Sequence, residues 1–251
     1  ARKPLTPLRP SAPTVQASMD AKEGQAGLGR DAFAFGAALI SLGSMIRYRR
    51  RYWVLAACLS AIAGFVDAVA FIETRGFFVS FMSGNSTRLG VGLATAPHFA
   101  LIALGIISAF VLGVMMGSVV AGKGDEKSGF RVLMLVASLL ALAAVSAASG
   151  MLVPAIALMA AAMGAENSVF LRDGEVSIGL TYMTGTLVKF GQRLAGALQG
   201  GPRFAWAPYL MLWLGLIAGA FSGAGAYAYL ALNSLWLASL AAAGLALLQI
   251  G

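Results

Sequence analysis

Two carboxylates sit where a greasy chain should carry none. Asp67 lies inside the apolar run 53–72 and Glu166 inside the run 154–171. A charged side chain at membrane depth is costly; it is usually paired, protonated or turned towards an interior cavity. Asp67 and Glu166 therefore read as coupling carboxylates, a proton or cation relay tied to transport. The plainer alternative is a structural ion pair with Arg88, Lys189 or Arg172.

Downstream of each carboxylate comes a polar motif in two versions. The first runs Ser80-Phe81-Met82-Ser83-Gly84-Asn85-Ser86-Thr87-Arg88, the second Thr181-Tyr182-Met183-Thr184-Gly185-Thr186-Leu187-Val188-Lys189. Aligned on Gly84 and Gly185, Arg88 falls on Lys189 and Gly90 on Gly191. Ser and Asn are good N-caps, and Gly permits turns and close approach. A helix beginning at mid-membrane presents free N–H groups and a positive dipole end. Such a break survives only where it is buried or lines a cavity. The candidate substrate-binding set is Ser80, Ser83, Gly84, Asn85, Ser86, Thr87 and Arg88, with Thr181, Thr184, Gly185, Thr186 and Lys189. Against it stands helix packing, since small and hydroxylated residues often serve interhelical contacts in lipid.

These motifs are positioned by a membrane protein. Of 251 residues, 59% are hydrophobic and 11% charged, usage far from that of soluble domains. Apolar runs at 53–72, 77–94, 99–121, 132–148, 154–171, 176–198, 207–232 and 235–250 approach the length of a spanning helix. The net charge of +8 does not point to nucleic acid, because Arg47, Arg49, Arg50 and Arg51 cluster beside the first long run, as positive-inside anchors do. The single cysteine, Cys58, leaves no disulfide framework and reads as an inert thiol. Neither a metal-ligand cluster nor a nucleophile motif stands out, and His98, the one histidine, follows Pro97 in a short loop. The expectation is no enzyme, no metal and no cofactor.

Residues 1–46 read as a poorly ordered extension with an interfacial helix at 32–46, and 47–251 as the membrane domain. Within that domain, 53–149 and 152–250 read as two copies of one unit. Asp67 aligns with Asn167, Glu166 is one position off, and Gly113 and Gly117 align with Gly215 and Gly219. These glycine pairs suit close helix approach and supply candidate faces for a homo-oligomer. If all eight segments span, the halves are parallel. If each motif segment dips in and returns, they are inverted, and most of the Lys and Arg residues fall on one side; the positive-inside bias favours this second arrangement. Glu73, Arg75, Arg172, Asp173 and Glu175, at segment ends, read as solvated loop charges.

The stretches Ala63-Gly64-Phe65-Val66-Asp67-Ala68 and Phe78-Val79-Ser80-Phe81-Met82-Ser83-Gly84-Asn85-Ser86-Thr87-Arg88-Leu89-Gly90 resemble the YoaK-like family, bacterial multi-pass membrane proteins catalogued under domain of unknown function 1275. The resemblance covers about residue 47 to the C-terminus. It implies a helical fold in the bacterial inner membrane and no particular reaction, substrate or cofactor. The fold expected is therefore an all-α integral membrane protein of six to eight segments, its motif segments broken or re-entrant and its N-terminus cytoplasmic. The function expected is a secondary transporter or permease for a small polar or anionic solute. The alternative is a non-transporting scaffold or partner-binding module in the bilayer.

Overall fold

The computed structural model describes residues 50–122, 125, 127–172, 175–176 and 182–249. The expected extension at 1–46 lies outside these residues, as do Thr181 and Asp173. The chain divides after Arg49, and everything below concerns the unit that begins at Arg50.

Eight α-helices occur among the described residues: α1 (Arg50–Glu73), α2 (Met82–Thr95), α3 (Pro97–Ala121), α4 (Ser128–Ala148), α5 (Leu152–Glu166), α6 (Met183–Leu198), α7 (Ala207–Leu230) and α8 (Leu235–Leu247). A 3-10 turn, Asn167–Phe170, continues α5 into a two-residue antiparallel ladder of β1 (Leu171–Arg172) with β2 (Glu175–Val176). Apart from that ladder the architecture is helical. Five stretches are long and apolar enough to cross a membrane: Tyr52–Glu73, Pro97–Ala121, Ser128–Ala148, Leu152–Phe170 and Ala207–Leu247. The last has 41 residues. As one straight helix it would measure roughly 60 Å, twice the hydrocarbon thickness. A 3-10 turn at Ala231–Ser234 interrupts it, with Ala231 at φ 47, and α7 and α8 are separate crossings. Six segments therefore cross, and α2 and α6, with 14 and 16 residues, are the short motif helices.

Glycine builds the two main helix pairs. α1 packs along α7: methyl groups placed on Gly215, Gly219 and Gly223 would strike the backbone at Ala57, Ala61 and Phe65. A methyl on Gly64 would strike the Leu216 carbonyl. α3 packs along α5 in the same way, Gly113 against Ala161, Gly117 against Ala165, and Gly164 against Phe110 and Val114. In both pairs the residue numbers rise together, so the partners run parallel. The first helix of each half thus packs on the third helix of the other. Two sequence expectations are corrected here. The Gly113/Gly117 and Gly215/Gly219 faces are not free for an oligomer, because α5 and α1 fill them within one chain. The glycine register is also displaced by one helical turn: by contact, Gly113 matches Gly219 and Gly117 matches Gly223. Small-residue motifs repeat every four residues, so pattern alone does not separate adjacent turns.

Directions follow from a few further contacts. Ser239 donates to the Ala137 carbonyl at 2.8 Å, and Gly129 lies against the Gln249 side chain. Numbers along α4 rise as those along α8 fall, so these helices are antiparallel. α5, which returns from α4, and α7, which precedes α8, are therefore antiparallel too, and α6 between them does not cross. By the parallel pairs, α1 and α3 are also antiparallel, and α2 between them does not cross. Both motif helices are re-entrant.

Candidate functional site

The first re-entrant segment begins at the end of α1. Thr74 caps that end, donating to the Ala70 carbonyl at 2.6 Å and accepting from the Phe77 N–H at 3.0 Å. The Gly76 N–H reaches back to the Phe71 carbonyl at 2.8 Å. Gly76 has φ 125, a conformation for glycine, and the Arg88 guanidinium occupies the space where its side chain would lie. The chain then descends beside α1. Phe78 stacks on Phe71 (centroids 4.9 Å apart) and Phe81 meets Phe78 edge-on at 5.3 Å. At the level of Asp67, six residues before α1 ends and so roughly 9 Å below that end, the descent stops.

Asp67 holds the bottom of the dip. Its Oδ1 accepts the N–H groups of Val79 and Ser80, each at 2.7 Å, and its Oδ2 accepts the Ser80 hydroxyl. The structural pairing considered with Arg88 is thus replaced by a backbone latch. Asp67 is half-buried and borders a cavity of about 330 Å³ between α1 and α7, walled by Gly64, Phe71, Phe78, Leu216 and Ala220. Apart from that carboxylate the wall is apolar, and neither Gly84 nor Gly185 is on it.

α2 then rises towards the surface it came from. Asn85, fully buried, grips the descending strand: its amide donates to the Phe78 carbonyl at 2.6 Å and its Oδ1 accepts from the Phe78 N–H at 3.3 Å. Arg88 lies over the Phe77 ring, 5.1 Å from its centroid. Phe77 also meets Phe99 in the first turn of α3. These contacts between descending and ascending arms make the hairpin.

No side chain caps either motif helix. The expectation of a Ser/Asn N-cap is therefore corrected: α2 begins at Met82, and Ser83 to Ser86 form its first turns. Asn85 is turned to the strand, and Ser86 and Thr87 donate back to the Met82 and Ser83 carbonyls. Ser83 is exposed and Gly84 half-buried against Phe81. Arg88 belongs to the mouth of the hairpin beside Gly76 rather than to the helix start. In the second copy Thr184, Gly185 and Lys189 are exposed, and Thr186 is buried and donates to the Tyr182 carbonyl at 3.2 Å. Thr181 lies outside the described residues.

Two placements bring the motifs together. The Ser80 N–H and hydroxyl meet Asp67 on α1, and the Ser60 hydroxyl on α1 donates to the Met183 sulfur, 3.9 Å away, at the start of α6. Ser60 and Asp67 are two helical turns apart on one face, roughly 10 Å along the axis. Both helix starts therefore address the same face of α1. α6 enters from the opposite side to α2: it is followed by α7, whose Tyr209 packs on Trp53 near the start of α1.

Glu166 is elsewhere in character. It is fully buried at the end of α5, and neither of its carboxylate oxygens has a hydrogen-bond partner among the described residues. The only ion pair among the described residues joins Arg131 to Asp125. No group of three or more metal-ligating side chains occurs among them either. Sequence reasoning missed two ties. Glu73, expected as a solvated loop charge, is half-buried and accepts the Tyr227 hydroxyl at 2.6 Å, and Ser60 anchors α6. An acidic residue ending one long segment and a tyrosine late in another carry no signal until the helices are paired.

The family model described as "Protein of unknown function (DUF1275)" matches residues 55–248, from the first turns of α1 to just past α8. UPF0700 transmembrane protein RA0705 of Rhizobium meliloti (strain 1021) is 35% identical over 169 residues, which cover 65% of this chain and 71% of that protein. No solved structure matches the chain.

Proposed function

We propose, from the premise that this chain belongs to the DUF1275 family of multi-pass membrane proteins, that it is a secondary transporter for a small polar or anionic solute. One observation carries the reading: two uncapped helix starts, entering from opposite sides, meet one face of α1 about two turns apart. The first N–H groups of an α-helix lack intrahelical partners, and each start carries a partial positive charge. Opposed half-helices at the midplane are an arrangement that holds a solute between repeats and alternates its access. Thr184 and Gly185 in the second start, and Ser83, Ser86 and Thr87 in the first, are exposed. In this reading 53–149 and 152–250 are inverted copies of one unit. The protein sits in a bacterial inner membrane with the start of α1 cytoplasmic. Arg131, Lys189, Arg193 and Arg203 then lie on the positive inner side. The chemistry is translocation, without bond making.

The test is uptake into liposomes holding the purified full chain, with phosphate, nitrate and short carboxylates as probes. Saturable flux is expected. Lys189→Ala should abolish it at unchanged melting temperature, since Lys189 is exposed. Absence of flux for every probe, or full flux in Lys189→Ala, overturns the reading. The scaffold alternative predicts a stable protein without flux.

A further inference from the structure

The two carboxylates differ in what surrounds them, and the difference separates their roles. We infer that Glu166 carries an exchangeable proton, whereas Asp67 is a fixed acceptor that latches the first hairpin. This rests on the transport reading and deepens it by naming a proton as the coupling ion.

The argument begins with hydrogen-bond capacity. An ionised carboxylate is an acceptor only. Asp67 uses both oxygens in that way, on two N–H groups and a hydroxyl. Glu166 uses neither, although no part of it reaches the surface. Burying an unpaired charge is far more costly than burying a neutral group.

Among the described side chains, the helices packed on α5 offer no compensating cation. On α3 the one titratable residue is His98, in the first turn; α3 runs parallel to α5 with Gly117 beside Ala165, so His98 lies roughly 28 Å away along the axis. On α4 it is Arg131, which is exposed and engaged with Asp125 and the Ala121 carbonyl. On the buried stretch of α1 it is Asp67, an acid, which supplies no positive charge. Tyr52, Cys58 and Glu73, the other titratable residues of α1 beyond its first two arginines, carry no positive charge at neutral pH. Beyond the 3-10 turn the backbone of Arg172 pairs with that of Glu175, and the side chains there lie outside the described residues.

A metal ion is poorly served here, because it needs several convergent oxygen or nitrogen ligands, and no such group occurs among the described residues. A proton needs one. In the first half the position equivalent to Glu166 is Val66, also fully buried, so this place in the packing is built for an apolar side chain. A protonated Glu is its closest acidic substitute. Release of the proton creates an unpaired buried anion, a state that favours rearrangement of α5.

Dicyclohexylcarbodiimide tests this without transport. It adds to a protonated carboxyl in apolar surroundings: the acid proton passes to one nitrogen, the carboxylate oxygen bonds to the central carbon, and acyl migration leaves a stable N-acylurea. The full chain in lipid nanodiscs would be treated across a pH series and mapped by peptide mass. Labelling at Glu166 that falls at least tenfold as pH rises, spares Asp67 and disappears in Glu166→Gln is the expected result. A lack of label at Glu166, labelling indifferent to pH, or preferential labelling of Asp67 overturns the inference. Protection by sodium at fixed pH also overturns it, in favour of a monovalent cation. Peptide mapping of the unsubstituted chain identifies the labelled residue even if Glu166→Gln folds poorly. Solute flux is read separately, so failure of the transport reading is distinguishable from failure of the proton site.

Discussion

The two motif hairpins share a spelling and differ in how they are held. In the first, Asn85 clamps the descending strand, Gly84 is pressed by the Phe81 ring, and Arg88 lies over Phe77. In the second, Thr186 bonds within its own helix, a methyl placed on Gly185 would meet no described atom within 4 Å, and Lys189 is exposed. The first copy ties Asn85 and Arg88 to its frame while Ser83, Ser86 and Thr87 stay exposed, and the second exposes Thr184, Gly185 and Lys189. Similar sequences here serve unequal tasks: the first hairpin resembles a fixed wall, and the second keeps its side chains available.

Paired substitutions sharpen or break that contrast. Asn85→Ala strands the Phe78 N–H and carbonyl in a buried place, at about 1–3 kcal/mol for each group left unpaired. Thr186→Val removes a local hydroxyl bond only and should cost less than about 1 kcal/mol. Thermal unfolding in one detergent should place Asn85→Ala well below Thr186→Val, and equal melting temperatures would break the comparison. Next in size, Gly84→Leu overpacks the aromatic ladder by about 1–3 kcal/mol, while Gly185→Leu should unfold like the parent; a matched drop in both would show that Gly185 is as enclosed as Gly84. Smallest is Arg88→Ala, which loses a cation–π contact worth about 0.5–1 kcal/mol. Lys189→Ala should leave stability unchanged, and the sign of the difference between the two is the readout.

Much of this was legible in the residues. Long apolar runs marked a helical membrane protein of six to eight segments, and the polar break at 80–88 pointed to a helix that starts inside the membrane. The re-entrant path was one of two open topologies, and in the sequence only the bias of positive charge favoured it. Contacts decide it: Asn85 with Phe78 and Arg88 beside Gly76 cannot form unless the chain turns back. The role of Asp67 was hidden for a different reason. Its partners are mostly backbone N–H groups, and backbone leaves no trace in a sequence pattern. The glycine register slipped by one turn because four-residue spacing is self-similar along α3 and α7. Glu166 was visible as an oddity, but its isolation is a property of packing, which only three dimensions display.

The exchange of helices between halves also sets a timetable. α1 finds its parallel partner only when α7 has been made, and Ala57 and Gly215 are about 160 residues apart. At a synthesis rate of about 5–20 residues per second, α1 waits roughly 8–30 s in the membrane with its small-residue face uncovered, although the Asp67 latch to Val79 and Ser80 is made early.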